Sequence, residues 1–186
     1  MEHGTFLDFL HTAEKLKCNT RHSWTSSGRQ ESVAEHSWRL ALMALLCKNE
    51  YPEIDIQKVI TMSLIHDLGE AITGDIPAFL KGNADEIKES KAIDMIISVL
   101  PQAEQQEFRT LFTEMDQMQT MEAKLWKALD NMEAVLQHNE SPLSTWAENE
   151  YSLNLTYGND KVSFSPYLTA LRKQLREDSG EKIRRG

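Results

Sequence analysis

The stretch Ser63-Leu64-Ile65-His66-Asp67-Leu68-Gly69-Glu70 ends an apolar helical pattern with a histidine, an aspartate and, three residues later, a glutamate. Neutral imidazole and carboxylate both bind divalent cations, and adjacent helix positions lie only about 100° apart, so His66 and Asp67 can reach one ion. A His-Asp pair also occurs as a capping or solvated pair at a helix end. The stretch therefore indicates a metal centre only if other segments supply further ligands.

The composition favours one domain without a membrane span. The chain has 186 residues, of which 40% are hydrophobic, and this length can bury about 70% of the surface of the unfolded chain. The longest apolar run, Leu40 to Cys47, is far shorter than the roughly 18 residues that a bilayer requires. The first four residues lack a secretory pattern, and Cys18 and Cys47 form no CxxC pair. We therefore expect a single domain over residues 1–186, in the cytoplasm, with reduced thiols and no membrane partner.

The charge distribution predicts a small anionic ligand. The formal net charge of −9 argues against a nucleic-acid polymer as partner, because such binding usually needs a basic face. Residues 15–30 contain no acid and four basic residues, namely Lys15, Lys17, Arg21 and Arg29. This segment would attract a small anion, although a basic loop that only aids solubility is an alternative. Cys18 in this segment is the candidate reactive thiol, whereas Cys47 is expected in the core.

The spacing of apolar residues predicts an all-α fold, since no segment shows strand alternation. Apolar residues recur at helical spacing in residues 5–17, 32–48, 55–65, 84–99, 101–118, 121–138 and 165–177. The first of these is expected to be a core helix through Phe6, Leu7 and Leu10, and Leu64 is expected on an inward stripe. Residues 18–31 and 139–164 are predicted to be irregular, and residues 178–186 to be a frayed tail. We expect a single helical bundle with its core in about residues 5–139.

Local signals predict how the helices begin and end. Ser32 and Glu35 fit a capping box, Asp55 is a plausible N-cap, and Ser165 precedes a proline that can start the last helix. Gly69 is expected to close the helix before it in the left-handed conformation.

The segment that follows the dyad is predicted to be a tight loop. It reads Thr73-Gly74-Asp75-Ile76-Pro77, a sequence rich in turn-forming residues. The loop would keep Glu70 and Asp75 close to His66 and Asp67.

Two more residues have the chemistry and the positions to complete a metal centre. His36 lies in the first turn of the helix that starts at Ser32, and Asp130 lies at the edge of a buried helix face. Each has a structural alternative, because a buried histidine can bind backbone groups and Asp130 can pair with a lysine. Together with His66 and Asp67, however, they leave positions open for water and substrate. Open positions of this kind are typical of a site for one catalytic divalent ion, such as Mn²⁺, Co²⁺, Mg²⁺, Fe²⁺ or Zn²⁺. A structural zinc site, in contrast, is closed by four protein ligands.

The pattern His36, His66-Asp67, Asp130 resembles the HD-domain metal-dependent phosphohydrolases. Three strings are similar to the 5′-deoxynucleotidase branch, the YfbR-like and HD-domain-containing protein 2 group: Glu35-His36-Ser37, His66-Asp67-Leu68-Gly69-Glu70 and Thr73-Gly74-Asp75-Ile76-Pro77. The resemblance extends over about residues 6–139. It implies a single HD domain of helices with the metal site between them, a divalent metal, a homodimer, and hydrolysis of deoxyribonucleoside 5′-monophosphates. The apolar residues near Trp126 and Trp146 leave room for the dimer surface.

The resemblance also implies a role for individual residues. The four residues that match the metal ligands are His36, His66, Asp67 and Asp130. Glu70 matches the acid that positions the attacking water, Asp75 matches a second catalytic acid, and Arg21 matches a residue that contacts the phosphate. The bacterial nucleotidase has a tryptophan after that arginine, whereas this chain has His22. His22, Trp24 and Lys81 are therefore further candidates for substrate contact.

Other functions stay open at this point. The runner-up is an HD phosphohydrolase that acts on another nucleotide or phosphorylated metabolite, although pyrophosphate cleavage would need more basic residues. A di-iron oxygenase would need additional histidines, and His3, His11, His22 and His138 do not suggest a second cluster. An alternative of another class is a non-catalytic metal-binding interaction domain. Glu70 discriminates here, because a scaffold has no need of a carboxylate beside open metal positions.

Overall fold

The computed structural model describes residues 1–186, and the chain is helical apart from one hairpin. The α-helices are α1 (His3–Ala13), α2 (Val33–Leu46), α3 (Ile56–Ile65), α4 (Glu70–Thr73), α5 (Asn83–Ile97), α6 (Gln102–Gln117), α7 (Met121–Glu140), α8 (Glu150–Thr156) and α9 (Pro166–Arg185). Single 3-10 turns cover Glu14–Lys17, Leu143–Thr145 and Asn159–Lys161. Two short antiparallel strands, β1 (Thr20–Trp24) and β2 (Gln30–Ser32), form the hairpin. The predicted all-α class is confirmed. No helix has both the length and the apolar composition that crossing a bilayer requires.

The main apolar core lies between α2, α3, α7 and α9. Each of these helices contributes fully buried side chains, including Leu40, Met62, Leu129 and Leu168. A smaller cluster joins the start of α2 to α4 and α5, and its buried members are Leu16, Val33, Leu68, Ala71, Ile96, Ile97 and Leu100. This packing holds α2, α3 and α7 against one another, and the candidate site lies where these three helices meet.

The capping interactions predicted from the sequence are confirmed. The Ser32 hydroxyl accepts a hydrogen bond from the Glu35 amide at 3.3 Å, and the Glu35 carboxylate accepts one from the Ser32 amide at 2.8 Å. The side chains of Asp55 and Ser165 cap α3 and α9. The capping box fixes the start of α2, and it therefore fixes the position of His36 one turn into that helix.

The hairpin corrects the prediction of an irregular loop over residues 18–31. Its register pairs Thr20 with Ser32, and an irregularity in the pairing follows. The inward-facing positions are polar, since Ser23 and Glu31 are buried and the Ser23 hydroxyl donates a hydrogen bond to the Glu31 carboxylate at 3.3 Å. Because these buried side chains are polar, the strands lack the apolar alternation by which strands are recognised.

The prediction that the first helix belongs to the core is wrong. No residue of α1 is buried. Phe6 is 53% exposed, and Leu7 and Leu10 are exposed to a similar extent. Only the side of α1 that carries Phe9 packs against the smaller cluster. Leu64 in α3 is also exposed, although the spacing placed it on the inward stripe. Helical spacing identifies an amphipathic face, but it does not show whether another element covers that face.

The C-terminal region is more ordered than the sequence predicted. Residues 139–164 contain α8, and α9 continues through residues 178–185, where a frayed tail was expected. Polar contacts explain the extension, because the buried Ser179 hydroxyl donates to Asn139 Oδ1 at 2.7 Å and Asn139 Nδ2 donates to the Leu175 carbonyl at 3.0 Å. These hydrogen bonds attach the second half of α9 to the end of α7. Because the residues involved are polar, no apolar pattern in the sequence indicates this part of the helix.

Trp126 and Trp146 do not form an exposed apolar surface, which corrects that expectation. Both are buried. The Trp126 ring meets the His66 ring edge-on with centroids 5.6 Å apart, and the Trp146 Nε1 atom donates a hydrogen bond to the His138 carbonyl at 3.0 Å. Both tryptophans therefore support the interior of the chain.

Candidate metal centre and active site

The four predicted metal ligands converge from three helices. His36 lies in the first turn of α2, His66 and Asp67 directly follow the last turn of α3, and Asp130 lies in α7. The His36 Nε2 atom is 3.3 Å from His66 Nε2 and 3.1 Å from Asp130 Oδ1. His66 Nε2 is 3.0 Å from Asp67 Oδ2, and His36 Nε2 is 3.9 Å from that same oxygen. The structure thus brings all four side chains together, and we call them the four-residue cluster.

Neighbouring acceptors orient both imidazole rings of the cluster. The Nδ1 atom of His36 contacts the carboxylate of the buried residue Glu133, and His66 Nδ1 lies 2.9 Å from the Ser63 carbonyl oxygen. A carbonyl oxygen only accepts hydrogen bonds, so His66 Nδ1 donates and its Nε2 keeps a lone pair. The Glu133 carboxylate favours the same arrangement at His36. Both rings can therefore direct an Nε2 lone pair at the centre of the cluster, as a metal ligand must.

The electrostatics of the cluster favour a cation. Burial alone would raise the pKa values of Asp67 and Asp130, but His66 lowers the pKa of Asp67, and Lys127 holds the pKa of Asp130 well below its usual value. Burial would lower the pKa of His36, yet the carboxylates around it, Glu133 first and then Asp130, raise that pKa to about 10. The cluster therefore favours a positive charge at this point, which a metal ion would supply in place of the His36 proton. Two ionised carboxylates and two imidazoles that face one point are a donor set that fits a divalent metal ion.

Two further predicted acids, Glu70 and Asp75, lie beside the cluster. Glu70 is the first residue of α4 and is buried, and its Oε2 atom has no hydrogen-bond partner within the chain. Burial, followed by the charges of Asp67 and Asp75, raises the pKa of Glu70 to about 10. Burial also raises the pKa of Asp75. A buried carboxyl oxygen without a partner is free to bind a water molecule or a ligand.

Gly69 holds a different role from the one that the sequence suggested. Its φ of −58° is right-handed and not left-handed, but a Cβ atom there would lie 2.7 Å from Glu89 Cγ and 3.0 Å from the Glu89 carbonyl oxygen. Close packing of α5 therefore requires a glycine. The positive φ of 74° belongs to Gly74, whose amide donates a hydrogen bond to the Glu70 carbonyl at 2.9 Å. This turn ends α4 and places Asp75 beside the site.

A cavity of about 170 Å³ opens onto the cluster. The acidic residues in its wall are Asp67, Glu70, Asp75 and Asp130, and the cationic ones are Arg21, Lys81 and Lys127. Apolar residues of the wall include Ile76, Pro77, Phe79, Val135 and Leu153. The cavity therefore combines candidate metal-binding carboxylates, cations that can contact an anionic group, and an apolar surface.

A larger cleft lies next to this cavity but is a weaker candidate for the active site. It has a volume of about 410 Å³, lies between α4 and α5, and shares Glu70, Ile76 and Lys81 with the cavity. Its wall contains no histidine and none of the four cluster residues. We therefore place the candidate active site in the smaller cavity, onto which the candidate metal ligands open.

Arg21 is the residue of the basic segment that reaches the cavity. Its Nη1 atom is 3.7 Å from Asp67 Oδ2 and its Nε atom is 3.2 Å from Glu31 Oε2. Burial would lower the pKa of Arg21, but the surrounding carboxylates raise it, so the guanidinium stays charged. Arg29 instead pairs with Glu35 on the surface, and Lys15 and Lys17 are exposed. The predicted attraction for an anion therefore depends on Arg21.

The other predicted substrate-binding residues are divided between the cavity and its surroundings. His22 and Lys81 are in the cavity wall, and the His22 ring meets the Phe79 ring edge-on at a centroid distance of 5.5 Å. Trp24 is not part of this wall, and its carbonyl accepts a hydrogen bond from Gln137 Nε2 at 2.6 Å.

Glu133 is a functional candidate that the sequence analysis missed. It contacts His36 Nδ1, and its other carboxylate oxygen accepts a hydrogen bond from Arg39 Nε at 2.7 Å. A signal was present, because Glu133 follows Asp130 by three positions and therefore lies on the same face of α7. Lys127 precedes Asp130 by the same spacing and pairs with it at 2.8 Å.

Comparison with known proteins identifies the family. A family model described as HD domain matches residues 13–172, a range that contains the whole four-residue cluster. The chain therefore belongs to the HD domain family.

Two similar proteins have names that are more specific than the description of the family. A protein of Dictyostelium discoideum named 5′-deoxynucleotidase HDDC2 is 32% identical over 187 residues, which cover 94% of this chain and 98% of that protein. The bovine 5′-deoxynucleotidase HDDC2 is 34% identical over 138 residues, which cover 72% of this chain and 66% of that protein.

Solved structures show the same architecture. The crystal structure of a predicted metal-dependent phosphohydrolase from Magnetospirillum magnetotacticum superposes with a TM-score of 0.79 at 26% identity, covering 96% of this chain and 93% of that one. A conserved hypothetical protein from Pyrococcus furiosus gives a TM-score of 0.72 at 32% identity, covering 92% and 99%.

Proposed function

We propose that this protein is a metal-dependent 5′-deoxynucleotidase, which hydrolyses deoxyribonucleoside 5′-monophosphates to deoxynucleoside and phosphate. The observation that carries the proposal is the convergence of His36, His66, Asp67 and Asp130 at a cavity whose wall also contains Arg21 and Glu70. The names of the similar Dictyostelium and bovine proteins support the substrate class. The size of the cavity suits a small molecule and not a polymer.

The four-residue cluster is the proposed binding site of one divalent ion. Its donor set of two imidazoles and two carboxylates is compatible with Mn²⁺, Co²⁺, Mg²⁺, Fe²⁺ or Zn²⁺. When bound, such an ion supplies Lewis acidity, which makes a water molecule more acidic and polarises a phosphate oxygen.

Glu70 is the proposed group that handles the proton of the attacking water. Its buried Oε2 atom has no partner in the chain and lies in the cavity wall, so it can accept a hydrogen bond from a water molecule and orient it toward phosphorus. Asp75 lies in the same wall and is the proposed second acid.

Arg21 is the proposed phosphate-binding residue. Its guanidinium is held between Asp67 and Glu31, which orients it before any substrate arrives. A planar guanidinium can donate two hydrogen bonds to a phosphate and offset its charge. Lys81 in the same wall can add a second positive charge, although it pairs with Glu89 in this structure.

The apolar part of the cavity wall is the proposed binding surface for sugar and base. Phe79 and His22 form an edge-to-face pair in this wall. Trp24 lies outside the wall, so contact with the base would require its side chain to move.

A phosphate-release assay tests the proposal. The full chain loaded with Mn²⁺ or Co²⁺ is expected to release phosphate from deoxynucleoside 5′-monophosphates faster than from ribonucleotides or 3′-nucleotides. Glu70→Gln should abolish release and leave the metal content unchanged, whereas the matched change Glu86→Gln, at an exposed position in α5, should preserve both. If no nucleotide of the 5′ and 3′ panel releases phosphate although elemental analysis finds the metal bound, the proposed activity is wrong.

We also propose a homodimer. Trp38, Leu42 and Leu45 lie at helical spacing on one face of α2 and are all exposed, with Trp38 63% exposed. A contiguous exposed apolar face of this kind is typical of an interaction surface. Light scattering is expected to give twice the chain mass, and Trp38→Ser should reduce it to the monomer mass. A wild-type monomer at micromolar concentration would contradict the proposal.

The cytoplasmic location remains a prediction that rests on cysteine usage. Cys18 and Cys47 are both unpaired, as is usual in a reducing compartment. Cell fractionation would test it directly.

A further inference from the structure

A second cluster of metal-binding side chains lies outside the four-residue cluster. His22 on β1, His138 near the end of α7 and Glu150 at the start of α8 converge, although the sequence did not suggest that His22 and His138 belong together. Glu150 Oε1 is 2.8 Å from His22 Nε2 and 3.4 Å from His138 Nε2. The two imidazole rings meet with centroids 5.3 Å apart. One nitrogen from each histidine and one carboxylate oxygen therefore face a common point.

The bonding around this cluster leaves its donor atoms available. His138 Nδ1 lies 2.9 Å from Asn154 Oδ1, an oxygen that only accepts hydrogen bonds, so Nδ1 carries the proton and Nε2 keeps its lone pair. Glu150 Oε2 accepts a hydrogen bond from the Ala147 amide at 2.6 Å, whereas the buried Oε1 atom has no hydrogen-bond partner. The His22 nitrogens are also buried without a partner in hydrogen-bond geometry.

A bound ion would supply the interactions that these buried polar atoms lack. Buried polar groups in proteins are nearly always hydrogen-bonded, and a buried carboxylate oxygen without a well-aligned donor is costly. Glu150 is 1% exposed. A cation bound between Glu150 Oε1 and the two Nε2 atoms would accept a lone pair from each of these three atoms. The contact from His138 Nδ1 to Asn154 is the kind of outer hydrogen bond that orients a metal-ligating histidine.

We propose that His22, His138 and Glu150 bind a second divalent transition-metal ion. Two imidazoles and one carboxylate are a known ligand set for Zn²⁺ and for Fe²⁺, with positions left open to a further ligand. The site shares no residue with the four-residue cluster, but His22 and His138 line the same cavity as Asp67 and Asp130. A metal ion here would add positive charge to the cavity wall on the side of Phe79 and Asn154.

A simple ion pair is the competing explanation. A protonated His22 could donate to Glu150 Oε1 after a small rotation, because these two atoms are already 2.8 Å apart. In that case the cluster would stabilise the contact between β1 and α8 and would bind no metal. The two explanations differ in the number of ions that each chain binds.

Metal stoichiometry decides between them. The full chain is stripped with a chelator, dialysed against a slight excess of Zn²⁺ and analysed for zinc per chain, without substrate. The variants His22→Asn and Glu150→Gln are each expected to bind one ion fewer than the wild type. The control His11→Asn removes an exposed histidine of α1 and should bind as many ions as the wild type. His66→Asn should instead lose the ion of the four-residue cluster. The double variant with His66→Asn and His22→Asn should therefore bind no zinc.

Equal zinc content in the wild type and in His22→Asn overturns the proposal. This variant is informative even if Glu150→Gln fails to fold, because His22 is partly exposed and asparagine is smaller and uncharged. The measurement is also independent of the proposed enzymatic activity. Absence of phosphate release with two ions bound would contradict the nucleotidase proposal alone, whereas activity with unchanged zinc content in His22→Asn would contradict only the second metal site.

Discussion

The Nε2 atom of His36 lies 3.1 Å from the Oδ1 atom of Asp130, although 94 positions separate the two residues in the chain. The contact joins the first turn of α2 to α7, and the end of α3 brings His66 and Asp67 to the same point. Buried ionisable groups cost free energy unless they are paired or bind a cation. The residues around this contact are therefore the most informative to change.

Glu133 is expected to tune metal binding through His36. Replacement by glutamine in Glu133→Gln removes the carboxylate that contacts His36 Nδ1, and loss of such an outer partner typically lowers metal affinity by about 10–100-fold. The matched control is Glu140→Gln, because Glu140 also pairs with Arg39 but is exposed and does not contact His36. Titration of the metal-free proteins with Mn²⁺ measures both affinities. Equal affinities for the two variants would show that Glu133 has no such role.

Arg21 is expected to contribute to turnover and not to metal binding. Arg21→Ala removes the one residue of the basic segment that reaches the cavity, and loss of a positioned donor to a developing charge lowers the rate by about 100-fold or more. Lys17→Ala removes an exposed charge from the same segment and should leave kcat/KM almost unchanged. Steady-state kinetics and metal analysis of both variants make the measurement. If Arg21→Ala loses its metal, the prediction is wrong and Arg21 supports the four-residue cluster itself.

Gly69 is expected to be intolerant of any side chain. In Gly69→Ala the new methyl group would lie 2.7 Å from Glu89 Cγ and 3.0 Å from the Glu89 carbonyl oxygen, and such overpacking lowers the free energy of unfolding by about 1–3 kcal/mol. In Gly4→Ala the methyl group meets nothing within 4 Å on the helix α1, so stability should stay the same or rise slightly. Thermal unfolding compares the two variants. An unchanged melting temperature for Gly69→Ala would mean that α5 can move away freely.

The two thiols are expected to differ in reactivity. Cys18 is exposed, whereas burial, followed by the charge of Glu50, raises the pKa of Cys47 to about 11. Because the thiolate is the reactive form, Cys47 should react little below that pH while the chain is folded. Iodoacetamide at pH 8 should label Cys18 alone, and labelling in denaturant should modify both, as read by mass spectrometry. Rapid labelling of Cys47 in the folded protein would show that the core around α2 opens.

The sequence alone was sufficient for features that depend on residues close together in the chain. The capping box of Ser32 and Glu35 and the helical spacing of Leu125, Leu129 and Met132 are local relationships, and the structure agrees with both. The same is true of the tight turn at Gly74, although the sequence assigned the left-handed residue to Gly69. Local hydrogen bonds and side-chain spacing determine these features, so a single chain is enough to predict them.

Only the tertiary structure decided which faces and side chains meet. Phe6 and Leu10 form an apolar stripe that no element covers, whereas the polar residue Ser179 is buried through hydrogen bonds to distant residues. The chain's fold also joins Glu133 to His36, and His22 to Glu150. The sequence by itself indicated most of the long helices, the four candidate metal ligands and the family resemblance, because these follow from local patterns and motif spacing. The partners of those ligands and the second histidine cluster depend on how the helices pack, and packing brings together residues whose separation in the chain carries no signal.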